Sequence, residues 1–217
     1  NVFSTKSLSL SQTKLFHNNI SSSSSDFIKI RSNRIPSKVV KEPTENVVIT
    51  SKNGVEALLD NFSKDELNFK NIFCVGRRTK KLIEQKIASV SHSENNAQKL
   101  AEYLSTKLKG QVVTYFCSDI RLDTLPIILS ENGVTVNEVE AYKTMYSPID
   151  IKEDVKGVLF YSPSTVESYL QKNTSDKVAF CIGESTAKEA RKYFDIVEVA
   201  KVPTVESLIE LVNLHYV

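Results

Sequence analysis

"VVITSKNGVEALL" (47–59) and "GVLFYSPSTVESYL" (157–170) decide how this chain is read. Each runs from a short β-branched or aliphatic strand, through a turn of serine, threonine or glycine, into an amphipathic helix, and Ser51 faces Ser162 when the two are superposed. "FCVGRRT" (73–79) recurs as "FCIGEST" (180–186), and "NNAQKLAEYL" (95–104) as "PTVESLIELV" (203–212), each roughly 110 residues further on. Three matches in the same order mark a duplicated unit. Alternating strands and helices imply parallel strands covered by helices, and therefore two α/β domains.

The two copies are completed differently. After its third helix the first copy continues as strand "VVTYF" (112–116), a helix near 121–131 and strand "VTVNEVEAY" (134–142). The second copy has no such continuation. Its counterpart lies at the front of the chain, as strand "VFST" (2–5), a helical stretch near 11–18 and strand "DFIKIRS" (26–32). The expected organisation is a discontinuous domain of residues 1–33 and 148–217, an inserted domain of 39–141, and interdomain linkers at 34–38 and 142–147. Ser21 to Ser25 form a low-complexity run that reads as a flexible surface loop.

Bulk properties narrow the function. At ~150 residues per domain, 217 residues fit one large or two small domains. Hydrophobic content of 41%, charged content of 25% and a net charge of +2 exclude a strongly basic nucleic-acid binder. No apolar run approaches the ~20 residues of a membrane span, and the opening "NVFSTKSLSLSQ" lacks a signal-peptide core, so a cytoplasmic protein without membrane partners is expected. Cys74, Cys117 and Cys181 end short apolar runs with no CxxC spacing and read as buried free thiols. His17, His92 and His215 are dispersed, and no metal site is expected.

In a parallel α/β sheet, ligands gather beyond the carboxyl ends of the strands, where helix N-termini point free N–H groups at anions. The repeated turns fall there. They supply Thr50, Ser51 and Asn53 in one copy of the first turn and Ser162 and Ser164 in the other, with Gly76 and Thr79 matched by Gly183 and Thr186 in the second turn. Two meanings remain open for Ser51, Asn53, Thr79, Ser164 and Thr186: each is a helix N-cap and nothing more, or together they line a ligand site.

"CVGRRTKK" (74–81) adds a charge anomaly. A helix start already carries about half a positive charge and favours anions, yet Arg77, Arg78, Lys80 and Lys81 crowd this one. The repeat has Glu184 and Ser185 in place of the arginines, so the turn itself does not demand cations. Either the cations are simply solvated or an anion docks against them. Tyr142 ends the last strand of the first copy, where a packed aromatic and a proton donor are both admissible.

Taken in order, "VVITSKNGVEAL", "CVGRRT", "NNAQKLAEYL", "CSDIRLDTLPIILSENGVTVNEVEAYKT", "LFYSPSTVESYL" and "CIGESTAKEA…PTVESLIELV" resemble the uroporphyrinogen-III synthase family over nearly the whole chain. The resemblance implies two flavodoxin-like parallel-sheet α/β domains joined by a two-stranded β-ladder, with the active site in the cleft between them. It implies cyclisation of the linear tetrapyrrole hydroxymethylbilane to uroporphyrinogen III, with loss of water and inversion of ring D through a spiro intermediate. No cofactor is implied, and the chain is expected to act as a monomer.

The family's interdomain tyrosine falls on Tyr142, which becomes the catalytic candidate. Its substrate-binding positions fall on Lys6, Ser51, Thr79, Arg121, Ser162, Gly183 and Thr186, and the adjoining motif residues Thr50, Gly76, Arg77, Asn96, Ser118 and Ser164 complete the candidate set. A non-catalytic two-domain module that binds an anionic ligand is the alternative, because doubly wound domains serve many purposes. A flavin or nucleotide carrier is the weakest option, for want of GxGxxG or GxxxxGKS.

Overall fold

The computed structural model describes residues 1–41 and 44–216. Along the chain lie β1 (Val2–Ser4), α1 (Leu10–Thr13), β2 (Ser22–Ser24), β3 (Ile28–Ser32), α2 (Lys38–Lys41), β4 (Thr44–Ile49) and α3 (Lys52–Asn61). Next come β5 (Phe69–Val75), α4 (Arg77–Lys86), β6 (His92–Glu94), α5 (Ala97–Lys107), β7 (Val112–Ser118), α6 (Thr124–Glu131) and β8 (Thr135–Tyr146). The chain closes with β9 (Gly157–Phe160), α7 (Pro163–Leu170), β10 (Val178–Cys181), α8 (Glu184–Ala190), β11 (Val197–Val199) and α9 (Val205–His215). It divides into two compact units, Asn1–Lys29 with Met145–Val217, and Ile30–Thr144.

The first unit holds a five-stranded sheet in the order β11-β10-β9-β1-β2, with every neighbour parallel. Numbered by position along the unit, this is the flavodoxin-like order 2-1-3-4-5. The second unit holds a six-stranded sheet in the order β3-β8-β7-β4-β5-β6. Its parallel core from β8 to β6 has the same order if counting starts at β7. The units are thus circular permutations of one plan, with β4, β5 and β6 standing where β9, β10 and β11 stand.

Side-chain alternation explains why both faces of each sheet are covered. In the second unit Val47, Ile49, Ile72, Cys74 and Phe116 pack with Leu58 and Ile83 on one face. Val48, Phe73, Val113, Tyr115 and Cys117 pack with Leu100, Leu104 and Leu125 on the other. Successive strand residues point to opposite faces, so near-continuous apolar strands are what a doubly covered parallel sheet needs. The first unit repeats this, with Val158, Phe160 and Cys181 on one face and Leu159, Phe180 and Leu208 on the other. All three cysteines are free and buried.

Several expectations are corrected. Ser22–Ser24 are not a loop but the edge strand β2, paired with Val2, Phe3 and Ser4. The pairing is made by backbone groups, as in Val2 N–H to the Ser21 carbonyl at 2.9 Å, so a serine composition gives no sign of it. The helical stretch near 11–18 shrinks to α1. Asn213 takes the backbone next to it, accepting from His17 N–H at 3.0 Å and donating to the Leu15 carbonyl at 2.8 Å.

The strand expected over 26–32 begins at Ile28 and neighbours β8. Asn33 N–H meets the Ala141 carbonyl and Ser147 N–H meets the Phe27 carbonyl, so β3 and β8 run antiparallel. These two strands carry the chain across both unit boundaries, and the segment 142–147, expected as a linker, is largely strand. Among the described residues no helix is long and apolar enough to cross a membrane.

Candidate functional site

The crossovers from β4 and β7 leave in opposite directions, α3 leading to β5 and α6 to β8, which opens a crevice at the carboxyl ends of these neighbouring strands. Hydroxyls fill it. Thr50 Oγ1 lies 3.1 Å from the Tyr115 phenol, and Ser51 Oγ lies 2.8 Å from the Tyr142 phenol. Ser51 also caps α3, accepting from Gly54 N–H at 3.1 Å. A β-bulge brings Tyr142 to this place. Cys117 pairs with Glu140 but Ser118 pairs with Tyr142, so Ala141 is extra and both Ala141 and Tyr142 turn inward. Tyr142 is 7% exposed, and burial raises its pKa against the opposing effect of the Ser51 hydrogen bond, so the phenol keeps its proton at neutral pH.

The other candidates of this unit divide. Ser118 stands beside Tyr142 on β7 and donates to Asp119 Oδ1 at 2.8 Å. Gly76 is the N-cap of α4 with φ +82°, a left-handed conformation that suits glycine, and a Cβ there would meet nothing within 4 Å. Arg77 and Arg78 occupy the first turn, exposed, and make no ion pair among the described residues. Thr79 is buried in the third helical position, and is therefore not the N-cap. Asn53 likewise sits inside α3. Asn96 caps α5, accepting from Lys99 N–H at 2.9 Å. Arg121 is committed elsewhere: its guanidinium is ion-paired with Glu138 and lies 3.5 Å from Asp123.

The first unit has its own crevice, between β1 and β9. Ser4 Oγ lies 2.9 Å from the Tyr161 phenol, and Lys6 Nζ stands 6.0 Å from the centre of that ring. Burial pushes the Tyr161 phenol up to about 12, with the Ser4 hydrogen bond opposing. Ser162 caps α7 in a reciprocal arrangement with Thr165, and Ser164 is the second residue of the helix, 3.2 Å from Ser162 Oγ. Gly183 precedes α8 in extended backbone, and Thr186 is buried in the first turn. Glu184 there is ion-paired with Arg191.

Repeat symmetry relates the two crevices. Thr50 corresponds to Tyr161 and Tyr115 to Ser4, so each unit joins a phenol to a small hydroxyl across the same pair of strands, with the partners exchanged. Ser4, Tyr115, Asp119, Thr144 and Tyr161 escaped the sequence reading. Tyr161 stood inside "GVLFYSPSTVESYL", and its position between a strand and a cap was the available signal.

Two doubly wound units, each with a hydroxyl-lined switch point, define a class of two-domain α/β proteins. Within that class, a family model described as uroporphyrinogen-III synthase HemD matches residues 17–210, and the chain belongs to that family. The porphyrin biosynthesis protein HemD of Ruminiclostridium josui is 26% identical over 184 residues, which cover 76% of this chain and 36% of that protein. This chain therefore spans little more than a third of that relative's length.

Two solved structures are similar in fold. Uroporphyrinogen-III synthetase from Helicobacter pylori has a TM-score of 0.72 at 16% identity, covering 100% of this chain and 99% of its own. A mutant uroporphyrinogen III synthase from Thermus thermophilus gives 0.68 at 14% identity, again covering 100% and 99%.

Proposed function

We propose that this chain cyclises hydroxymethylbilane to uroporphyrinogen III, with loss of water and inversion of ring D. The observation that carries the reading is the protonated, buried Tyr142 phenol beside Ser51 at a strand-end crevice, in a chain of this family. In this reading Tyr142 gives a proton to the departing hydroxyl, leaving an azafulvene that ring D attacks at its substituted carbon. Turn hydroxyls and helix N–H groups in both units hold the carboxylates of the folded bilane. Lys6, Arg77 and Arg78 add positive charge.

Most of the catalysis is positioning, since the free bilane closes without inversion. No enzyme nucleophile takes part. Incubation with freshly made hydroxymethylbilane, followed by isomer analysis, tests the proposal. Type III product is expected, and type I alone would overturn it in favour of a non-catalytic module for an anionic ligand.

A further inference from the structure

Asp119 is the residue at which β7 hands over to the loop before α6, and its carboxylate does unusual duty for an exposed side chain. Its Oδ1 accepts from the Ser118 hydroxyl at 2.8 Å, from Ile120 N–H at 2.9 Å and from Thr144 N–H at 3.0 Å. Its own N–H donates to the Tyr142 carbonyl at 3.2 Å. One residue thus grips β8 at Tyr142 and again two residues further on.

Asp119 takes over here from the β7–β8 ladder. The bulge at Ala141 drops a rung of the ladder, and β7 ends at Ser118, so no regular pairing with β7 continues past Tyr142. β3 holds the other edge of β8, through Asn33 N–H to the Ala141 carbonyl and Ser147 N–H to the Phe27 carbonyl, so Asp119 is what ties the β7 side of the strand at the Tyr142 phenol and its 2.8 Å bond to Ser51. The carboxylate is held in its charged form as well. Partial burial works against that, but the bonds from Thr144, Ser118 and Ile120 and the charge of Lys143 together keep its pKa below the ordinary carboxylate value.

We propose that Asp119 is a positioning residue, which clamps β8 just beyond its bulge and so sets the Tyr142 phenol against Ser51. Its catalytic consequence rests on the function proposed above, whereas its structural consequence is readable in the free protein. Three substitutions separate position from charge. Asp119→Glu keeps the charge but displaces the carboxylate by a methylene, Asp119→Asn keeps an acceptor oxygen in place without the charge, and Asp119→Ala removes both.

The experiment uses the full chain with ¹³C-labelled tyrosine rings, Tyr142 being assigned by the signal lost in Tyr142→Phe. Asp119→Glu and Asp119→Ala should move the Tyr142 resonance, Asp119→Asn should move it much less, and the signal of Tyr103, which stacks on His92 in the same unit, should stay in place as evidence of an intact fold. If Asp119→Ala does not fold, the contrast between Glu and Asn carries the test. In turnover, Asp119→Glu should lower kcat ~10-fold or more with KM changed less than about threefold, Asn should restore most of the rate, and the Glu change should add no loss to Tyr142→Phe.

A Tyr142 resonance unmoved by Asp119→Glu, or moved as far by Asn as by Glu, overturns the positioning role. A parent protein that yields type I isomer alone overturns the functional reading instead, and the ring resonances still decide whether Asp119 sets the phenol.

Discussion

The Tyr142 phenol and the Ser51 hydroxyl lie 2.8 Å apart, and the same serine oxygen receives the Gly54 N–H that starts α3. One oxygen therefore ties a strand that crosses between the units to a helix N-terminus. Tyr142→Phe keeps the packed ring and deletes the hydroxyl, and with it the proton and the bond to Ser51. If the phenol is the acid, kcat should fall ~10²-fold or more with little change in KM, as steady-state kinetics would show. A rate within about threefold of the parent would assign the proton to another donor.

Ser51→Ala removes a cap and the hydroxyl 2.8 Å from the buried phenol, leaving Ser118 as the neighbouring hydroxyl. The cap alone is worth ~1 kcal/mol, and loss of the buried hydrogen bond costs a further ~0.5–1.5 kcal/mol. Ser164→Ala, at the second residue of α7, removes no cap and should cost less than ~0.5 kcal/mol. Urea midpoints at unchanged m-value would rank the two, and equal costs would contradict the capping assignment.

Arg77 and Arg78 oppose the dipole of α4 and make no ion pair among the described residues. Replacing both with alanine should leave stability unchanged or raise it by up to ~1 kcal/mol. Where they meet substrate carboxylates, the double variant should show a higher KM and an activity that depends less on salt, with kcat and the type III fraction nearly constant. Initial rates across a salt series would reveal a purely solvated turn by unaltered KM and salt slope.

Tyr161 makes the fold sensitive to alkali. Its pKa is raised from 10.0 to about 12, so the folded state favours the neutral phenol. The associated stability is present in full below pH 10.0 and is lost as pH rises through about 12, at up to roughly 1.4 kcal/mol per unit. Burial shifts Tyr115, Tyr142, Tyr169 and Tyr216 in the same direction and steepens the fall. Denaturation midpoints above pH 10.0 should therefore drop faster for the parent than for Tyr161→Phe. Parallel curves would mean that Tyr161 ionises freely in the fold.

What the sequence determined by itself were the features that neighbours along the chain control. β4, β5, β9 and β10 were legible because short apolar runs lead into hydroxyl or glycine turns and then into helices with one apolar face. The caps Ser51 and Ser162 belong to the same local grammar, and the duplication showed that the pattern was repeated. That was enough for the fold class, and for placing the candidate residues at strand ends.

The tertiary structure decided what depends on which distant backbone lies alongside. The serines of β2 form a strand only because Val2, Phe3 and Ser4 present an open edge to them. Arg121 is occupied because register puts Glu138 within its reach, a meeting that neither "CSDIR" nor "VNEVEAY" announces. The bulge at Ala141 turns Tyr142 towards Ser51, and Asp119 grips the strand beyond it. A one-residue shift of register moves side chains to the opposite face of a sheet. Register is fixed by pairing between segments remote in sequence, so these contacts exist only once the sheet is assembled.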